Sequence, residues 1–395
     1  MKLLVYVGAV QVGVLSHSDE GYEFTYLESV PPTLAVSLRM PTTQRSWKSR
    51  ELFPAFQVSM PEGWLLRQVE DALVTSCGQA TPMQILEAVG SDMVGDLAFF
   101  AEESASKCPA NVWEHDAARP SREELSRFTQ WPGISGGFPK ALRSRSDGSG
   151  LWILKCDDED HLGLSLIEYF GMCVSRAAGL PTPEVRLSED CKSLWIRRFD
   201  VTPSSERLAF EDMCSLLGLP ASGKYDGSVE RVVRAISDVV APRQRREACE
   251  TFYARYLLAA AIRNGDAHLK NFGILFSRGE TPKLAPVFDM LTMATYATRR
   301  NDGDANDGMA LTLRGSRRWP SLDDLSALAG LCDVPVESQR EWGRRIARAV
   351  KEVEQDVDKT ACGVPDRATR YLLARMLDLW RIGARSLSLK ENSHK

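Results

Sequence analysis

Apolar and polar positions alternate in short runs near the start of the chain: KLLVYV, QVGVLS, YEFTYL and TLAVSL. A period of two puts successive side chains on opposite faces of a strand, so these runs predict an antiparallel sheet. Val5-Tyr6-Val7, a Gly8-Ala9 turn and Val12-Gly13-Val14-Leu15 predict a hairpin. A secretory leader fits less well, because Gly8, Gln11 and Gly13 interrupt the apolar run and Lys2 is the one basic residue before it. The period then lengthens. GWLLRQVEDALV and TPMQILEAVG predict two helices, the second with Thr81 as N-cap, Pro82 at its first position and Gly90 at its end. DLAFFAE predicts a closing strand, which completes a small α+β unit.

Over 104–133 proline and charge replace the apolar periodicity, which predicts a linker with one short helix opened by Ser121 and Glu124 as a capping box. Residues 134–200 turn β-rich. GISGGFPKALRSRSDGSGLWILKC predicts a hairpin with its tip at Ser146–Gly150, and EVRLSEDCKSLWIRRFDV predicts two more strands. Between them LSLIEYFGMCVSRAAGL has helical spacing and stops at Gly179, before Pro181. From about 205 onward the pattern is helical. Trp342, Ile346, Val350, Val353 and Val357 form one stripe, and PDRATRYLLARMLDLWRIGARSL forms another, opened by Pro365. The expected division is 1–118, an N-terminal unit with its linker; 119–204, a β-rich lobe; and 205–395, a helical lobe.

The 395 residues suffice for two or three domains with real cores. With 44% hydrophobic and 26% charged residues the chain falls in the soluble globular class. A net charge of -4 does not suggest direct nucleic-acid binding, and for the short basic clusters PRQRRE and RGSRRW a solvated face or an inter-subunit patch serves as well as a phosphate contact. Nine cysteines, an odd number with no C-x-x-C pair, point away from zinc ribbons and disulfide frameworks. Free thiols predict a reducing compartment, the cytoplasm. No apolar run approaches the ~18 residues that a membrane helix requires.

Polar chemistry is densest in AAAIRNGDAHLKNFGILF, positions 259–276, between two apolar segments. Asp266 and Asn271 stand five apart with Lys270 between them, the spacing D-x-x-x-x-N of kinase catalytic loops. Such a carboxylate accepts a hydroxyl proton, the amide oxygen can ligate magnesium, and the lysine can neutralise a transferred phosphoryl group. KLAPVFDMLT supplies a second carboxylate, Asp289. Upstream, ISGGFPKAL places Gly136-Gly137 where backbone N–H groups can approach phosphate, LWILKC places Lys155 on a strand, and Glu168 follows on a helix as its candidate ion partner. Each has a structural alternative: an ordinary turn, an edge lysine, a helix cap at Asp289, a surface Glu168, a structural His268. Their common order, in a β-rich half followed by a helical half, is that of a kinase. No P-loop, H-E-x-x-H or G-x-S-x-G element competes.

With these motifs the chain resembles the HipA family, the serine/threonine kinase toxins of bacterial type II toxin–antitoxin modules. RNGDAHLKNFGILF is similar to the family's catalytic segment, APVFDM to its metal-binding segment, ISGGFPKAL to its glycine-containing loop and WIRRFD to its nucleotide hinge. EDMCSLLGLPASGKY resembles a signature specific to the family. The resemblance implies an α+β, protein-kinase-like fold: a β-rich N-terminal lobe with an extra α+β subdomain, and a helical C-terminal lobe. It implies ATP and Mg2+ as cofactors, Asp266 as the catalytic carboxylate, and Asn271 and Asp289 as metal ligands. Lys155 would contact the ATP phosphates beneath Gly136 and Gly137. Arg197, Arg198 and Phe199 would lie near adenine, with His268 and Lys270 in the catalytic loop. Ser135 is the candidate for autophosphorylation. The implied partners are a HipB-like helix-turn-helix antitoxin, through which DNA is reached, and a protein substrate such as an aminoacyl-tRNA synthetase. The chain departs from the family at Phe138, usually Gln, and at Arg197, usually acidic. The competing expectations are a small-molecule kinase and a catalytically weak kinase fold that serves as an antitoxin-binding co-repressor.

Overall fold

The computed structural model describes residues 1–102, 140–144, 150–157, 161–297 and 308–386. In chain order come β1 (Lys2–Val7), β2 (Val10–Ser18), β3 (Gly21–Tyr26), β4 (Ser46–Ser49), α1 (Pro54–Gln57), α2 (Gly63–Cys77), α3 (Pro82–Val89) and β5 (Leu97–Ala101). There follow β6 (Lys140–Ser144), β7 (Leu151–Cys156), α4 (Leu164–Ala177), β8 (Val185–Leu187), β9 (Ser193–Arg197), β10 (Ala209–Asp212) and α5 (Met213–Leu217). The remainder is α6 (Val229–Val239), α7 (Pro242–Ala261), β11 (Gly273–Phe276), β12 (Lys283–Leu284), α8 (Leu322–Leu331), α9 (Val336–Gly363) and α10 (Arg367–Ser386).

The chain divides into two units, one of Met1–Cys156, Trp195–Lys224 and Gly273–Lys283, the other of Asp157–Leu194, Tyr225–Phe272 and Leu284–Lys395. In the first, a five-stranded sheet has the order β4-β3-β2-β1-β5. The Gly8-Ala9 turn closes the expected hairpin, with Val7 opposite Val10, and β5 returns antiparallel along β1. Alternation along β1 buries Leu3, Val5 and Val7. They share a core with Leu15, Phe24, Tyr26, Phe56 and Phe99, in which the Phe56 ring meets Phe24 and Phe99 edge-on at 5.4 and 5.2 Å. Thr81 caps α3 in a capping box with Gln84, as its sequence predicts. The predicted hairpin β6–β7 pairs Ser144 with Leu151 through Lys140 with Lys155. Of the expected tip at Ser146–Gly150 only Gly150 is described, and the expected linker helix lies outside the described residues.

Two expectations are corrected. TLAVSL does not form a strand. It holds a 3-10 turn at Pro32–Leu34 and a bridge between Ser37 and Met40. Pro31 and Pro32 have no N–H to give a ladder, and Ser37 Oγ and Leu38 N both donate to the Glu211 carboxylate at 2.7 Å. The edge strand is β4 instead. The helical reading from 205 onward also misses β10, which pairs antiparallel with β11. Strands this short carry too few positions to display a period.

The first unit is fastened by buried charge. Arg198, with a side chain 1% exposed, donates to Asp200 at 2.6 and 3.0 Å, to Asp92 at 3.2 Å and to the Met93 carbonyl at 2.8 Å. Arg207 also reaches Asp92, Arg278 makes a two-pronged pair with Asp96, and Gly95 N donates to Asp200 at 2.8 Å. One loop between α3 and β5 thus collects three arginines. Burial pushes the Asp200 carboxyl up, but the Arg198 charge and its hydrogen bonds more than reverse this, and the group lies below the usual carboxylate range.

In the second unit α4 packs on α9, α9 on α10, and α7 meets α6, α8, α9 and α10. The predicted stripe buries Ile346, Val350, Val353 and Val357, with Trp342 half-buried at its end. Asp157 accepts from Gly163 N and Ser165 N at 2.8 and 2.7 Å at the start of α4.

Replacing Asp200 with Asn should cost about 3–5 kcal/mol at pH 7, because it leaves the buried Arg198 charge short of a partner. The folded-state pKa of Asp200 is depressed, so its stabilisation is complete above the ordinary aspartate range and fades as pH falls through that range. The gap between wild type and D200N in chemical denaturation should therefore narrow below about pH 4. Equal stability of the two proteins at pH 7 would show the pair to be dispensable.

Candidate active site

The polar loop begins where α7 ends. Asn264 N donates to Ala259 O at 2.8 Å and Arg263 N to Ala260 O at 3.3 Å, a Schellman closure with Arg263 at φ 58, where glycine is usual. The Arg263 guanidinium is buried over the Trp319 ring, 4.7 Å from its centroid. From there several bonds run within the loop. Asp266 N donates to Asn264 Oδ1 at 3.1 Å and His268 N to Asp266 O at 2.7 Å. Asn271 Nδ2 donates to the same carbonyl at 2.8 Å, and a 3-10 turn at Leu269–Asn271 delivers the chain to β11. Part of the hydrogen-bonding capacity seen in the sequence therefore folds a buried loop.

What stays outward is the Asp266 carboxylate, with a side chain 27% exposed. Its Oδ1 accepts from the Tyr225 hydroxyl at 2.7 Å, and its Oδ2 lies 4.0 Å from His268 Nε2. The Tyr225 ring stands edge-on to His268, with centroids 5.3 Å apart. Asn271 is buried, and its amide nitrogen is spent on Asp266 O, which turns Oδ1 away as an acceptor. Asp289 is half-buried at φ 56, a left-handed conformation that aspartate tolerates better than most residues.

Asn264 ties the two acidic segments together. Its amide oxygen receives Asp266 N, and its amide nitrogen donates to Asp289 O at 3.3 Å. Two helical glycines admit backbone beside them. A Cβ on Gly171 of α4 would stand 2.0 Å from Met290 O, next to Asp289, and one on Gly383 of α10 would stand 2.0 Å from Ala261 O, just before the loop. The Trp380 indole, also on α10, donates to Thr292 Oγ1 at 2.7 Å, with both residues fully buried. Arg255 of α7 is buried and donates to Ala285 O, ahead of Asp289, and burial pushes its pKa down.

The remaining predicted positions, where described, each fall within one of the two units. Lys155 is buried on β7, opposite Lys140 in the first unit. At the end of β9, Arg197 is exposed and Phe199 meets Phe210 edge-on at 5.7 Å, whereas the Arg198 side chain is committed to Asp92, Asp200 and Met93. Glu168 is buried on α4 and Lys270 in the loop of the second unit. Ser135, Gly136, Gly137 and Phe138 lie outside the described residues.

Among the described residues, no group of three or more His, Cys, Asp or Glu side chains is placed to hold a metal. One amide oxygen and one carboxylate, from Asn271 and Asp289, are the hard oxygen donors that suit magnesium, which keeps much of its own water. Among the described residues, no helix is long and apolar enough to cross a membrane.

Residues 133–360 match the family model of the HipA-like C-terminal domain, and residues 3–100 match that of the HipA N-terminal domain. The chain belongs to the HipA family. Its likeness to the HipA chain of the Shewanella oneidensis toxin–antitoxin system, solved with HipB and operator DNA, covers 97% of this chain and 96% of that one at a TM-score of 0.68 and 18% identity. The fold is accordingly the α+β, protein-kinase-like fold of HipA. A Sinorhizobium fredii protein, Y4dM, whose name describes a candidate kinase, is 25% identical over 380 residues, 89% of each chain. A similarly named Haemophilus influenzae protein is 24% identical over 163 residues, 37% of this chain and 46% of its own length.

Sequence reasoning missed Asn264, Tyr225 and Gly171. Tyr225 closes the HipA signature segment, and Asn264 stands inside the quoted loop; in both cases the residue was visible but its partner was not. Gly171 gave a weak signal, as a glycine inside a helical pattern.

Gly171→Ala should destabilise the protein by about 1–3 kcal/mol, because the added methyl displaces the Met290 carbonyl. Gly343→Ala on α9 meets no neighbour within 4 Å and should stabilise by up to about 1 kcal/mol through helix propensity. Thermal melts of both variants check the contrast; a stabilised G171A would mean that the Asp289 segment is free to shift.

Proposed function

We propose that this HipA-family protein is an ATP- and magnesium-dependent serine/threonine protein kinase, the toxin of a module with a HipB-like helix-turn-helix antitoxin. The observation that carries the reading is the joint placement of Asp266 and Asp289, two carboxylates whose backbones share the buried Asn264 amide. Asp266 accepts the proton of the acceptor hydroxyl as that oxygen bonds to the transferred phosphorus and the bond to the departing diphosphate breaks. Asn271 Oδ1 and the Asp289 carboxylate would hold magnesium, which when bound neutralises charge on the phosphate oxygens. Lys155 serves the nucleotide phosphates, the exposed Arg197 and the half-buried Phe199 border the nucleotide, and His268 and Lys270 support the loop. The Arg198 side chain, spent on two carboxylates, leaves only its backbone for that task.

The Shewanella oneidensis relative's complex with HipB and operator DNA supports the antitoxin, and with it access to DNA through the partner. The names of the Sinorhizobium fredii and Haemophilus influenzae relatives support phosphoryl transfer. The substrate is a protein hydroxyl, with an aminoacyl-tRNA synthetase as one candidate, and Ser135 is a candidate for self-modification.

Purified protein incubated with magnesium and labelled ATP should transfer phosphate to a protein of a bacterial lysate. Asp266→Asn should reduce transfer by about 10²–10⁴-fold, the share of a general base. Asp289→Asn should raise the magnesium and ATP requirement as well. Expression without the antitoxin should slow growth in wild type but not in D266N. Equal transfer by wild type and D266N would remove Asp266 from the mechanism, and equal growth arrest would point to an effect other than catalysis.

A further inference from the structure

Tyr225 hydrogen-bonds the Asp266 carboxylate. Its hydroxyl donates to Oδ1 at 2.7 Å, the side chain is held edge-on to the buried His268 at an interplanar angle of 81°, and its own carbonyl accepts from Arg317 Nη2 at 2.5 Å. The residue is therefore fixed from its backbone, its ring and its hydroxyl, although 38% exposed. A carboxylate accepts and cannot donate, so the phenol O–H must point at Asp266.

We propose that Tyr225 is a positioning residue for Asp266. The proposal rests on the kinase reading of the same site. The terminal torsion of aspartate is broad, so an exposed carboxylate left to itself samples many orientations. The Asp266 backbone is pinned through its N–H and its carbonyl, so the orientation of the carboxylate is set by what its own oxygens meet. The Tyr225 phenol fixes one of those oxygens. With Oδ1 held by the phenol, Oδ2 is the oxygen presented to the acceptor hydroxyl, on the side where His268 Nε2 lies 4.0 Å away. The proton moves from the acceptor to Oδ2 while Tyr225 keeps its own. The logic is that of a base oriented by a third group, applied to a carboxylate.

The test is Tyr225→Phe, which retains the ring against His268 and deletes only the hydroxyl. Wild type, Y225F and D266N are compared in the full-length protein for kcat, KM for ATP and melting temperature. The expected result is a kcat lowered by about ten-fold or more, toward the ~10²-fold that a small misplacement costs. KM for ATP should stay within about two-fold, since uniform binding is untouched. The melting temperature should move by no more than about 3 °C. A Y225F protein that turns over as fast as wild type, or faster, overturns the proposal. So does a loss that appears as raised KM together with a lowered melting temperature, which would make Tyr225 a structural support. If wild type transfers no phosphate, or D266N transfers as well as wild type, the kinase reading itself fails and takes this proposal with it.

Discussion

A loop as buried as the one after α7 has to satisfy its own backbone, and that constraint shapes the site. Asn264, Ala267, His268, Leu269, Lys270 and Asn271 are all buried, and an unpaired N–H or carbonyl among them would cost about 1–3 kcal/mol. The Asp266 carbonyl takes two donors, His268 N and Asn271 Nδ2, and the Asn264 amide serves Asp266 at one end and Asp289 at the other. These bonds hold the main chain of Asp266 in one place, and its carboxylate with it near a fixed anchor.

The first unit obeys the same rule with charge in place of backbone. Three acids near the start of β5 and after β9 gather Arg198, Arg207 and Arg278, while Glu211 takes Ser37, Leu38 and Ser215. Burial is the main influence on Glu211 and pushes its carboxyl above the usual range, against those three donors and the Arg278 charge. Taken singly, such buried groups add little net stability. Their cost when a partner is missing is what specifies a single arrangement of the loops they join.

How much of this could be read from the sequence follows from the range of each interaction. Local rules carried the β1–β2 hairpin, the Thr81 cap, the β6–β7 pairing and the long stripe of α9, because period, turn chemistry and capping act within a few residues. They failed at 33–38, where Glu211, distant in sequence, claims the donors a strand would have used. They also failed at β10, too short to show a period. The loop around Asp266 stood out for the density and spacing of its polar residues. Tyr225 was invisible as part of it, because the contact joins residues 41 apart in the chain. Arg198 shows the same limit: the sequence places it on a strand end, but not the Asp92, Asp200 and Met93 partners that take its guanidinium.

Gly383 shows how narrow the route to greater heat resistance is for this chain. Exchanging helical glycine for alanine is among the safest ways to stabilise a protein, since it removes freedom from the unfolded chain. On α10 that exchange would drive a methyl group into Ala261 O, at the point where α7 hands over to the Asp266 loop. Lineages adapting to higher temperature would have to leave this position alone and find such gains on other helices, as at Gly343, where an added methyl meets nothing within 4 Å.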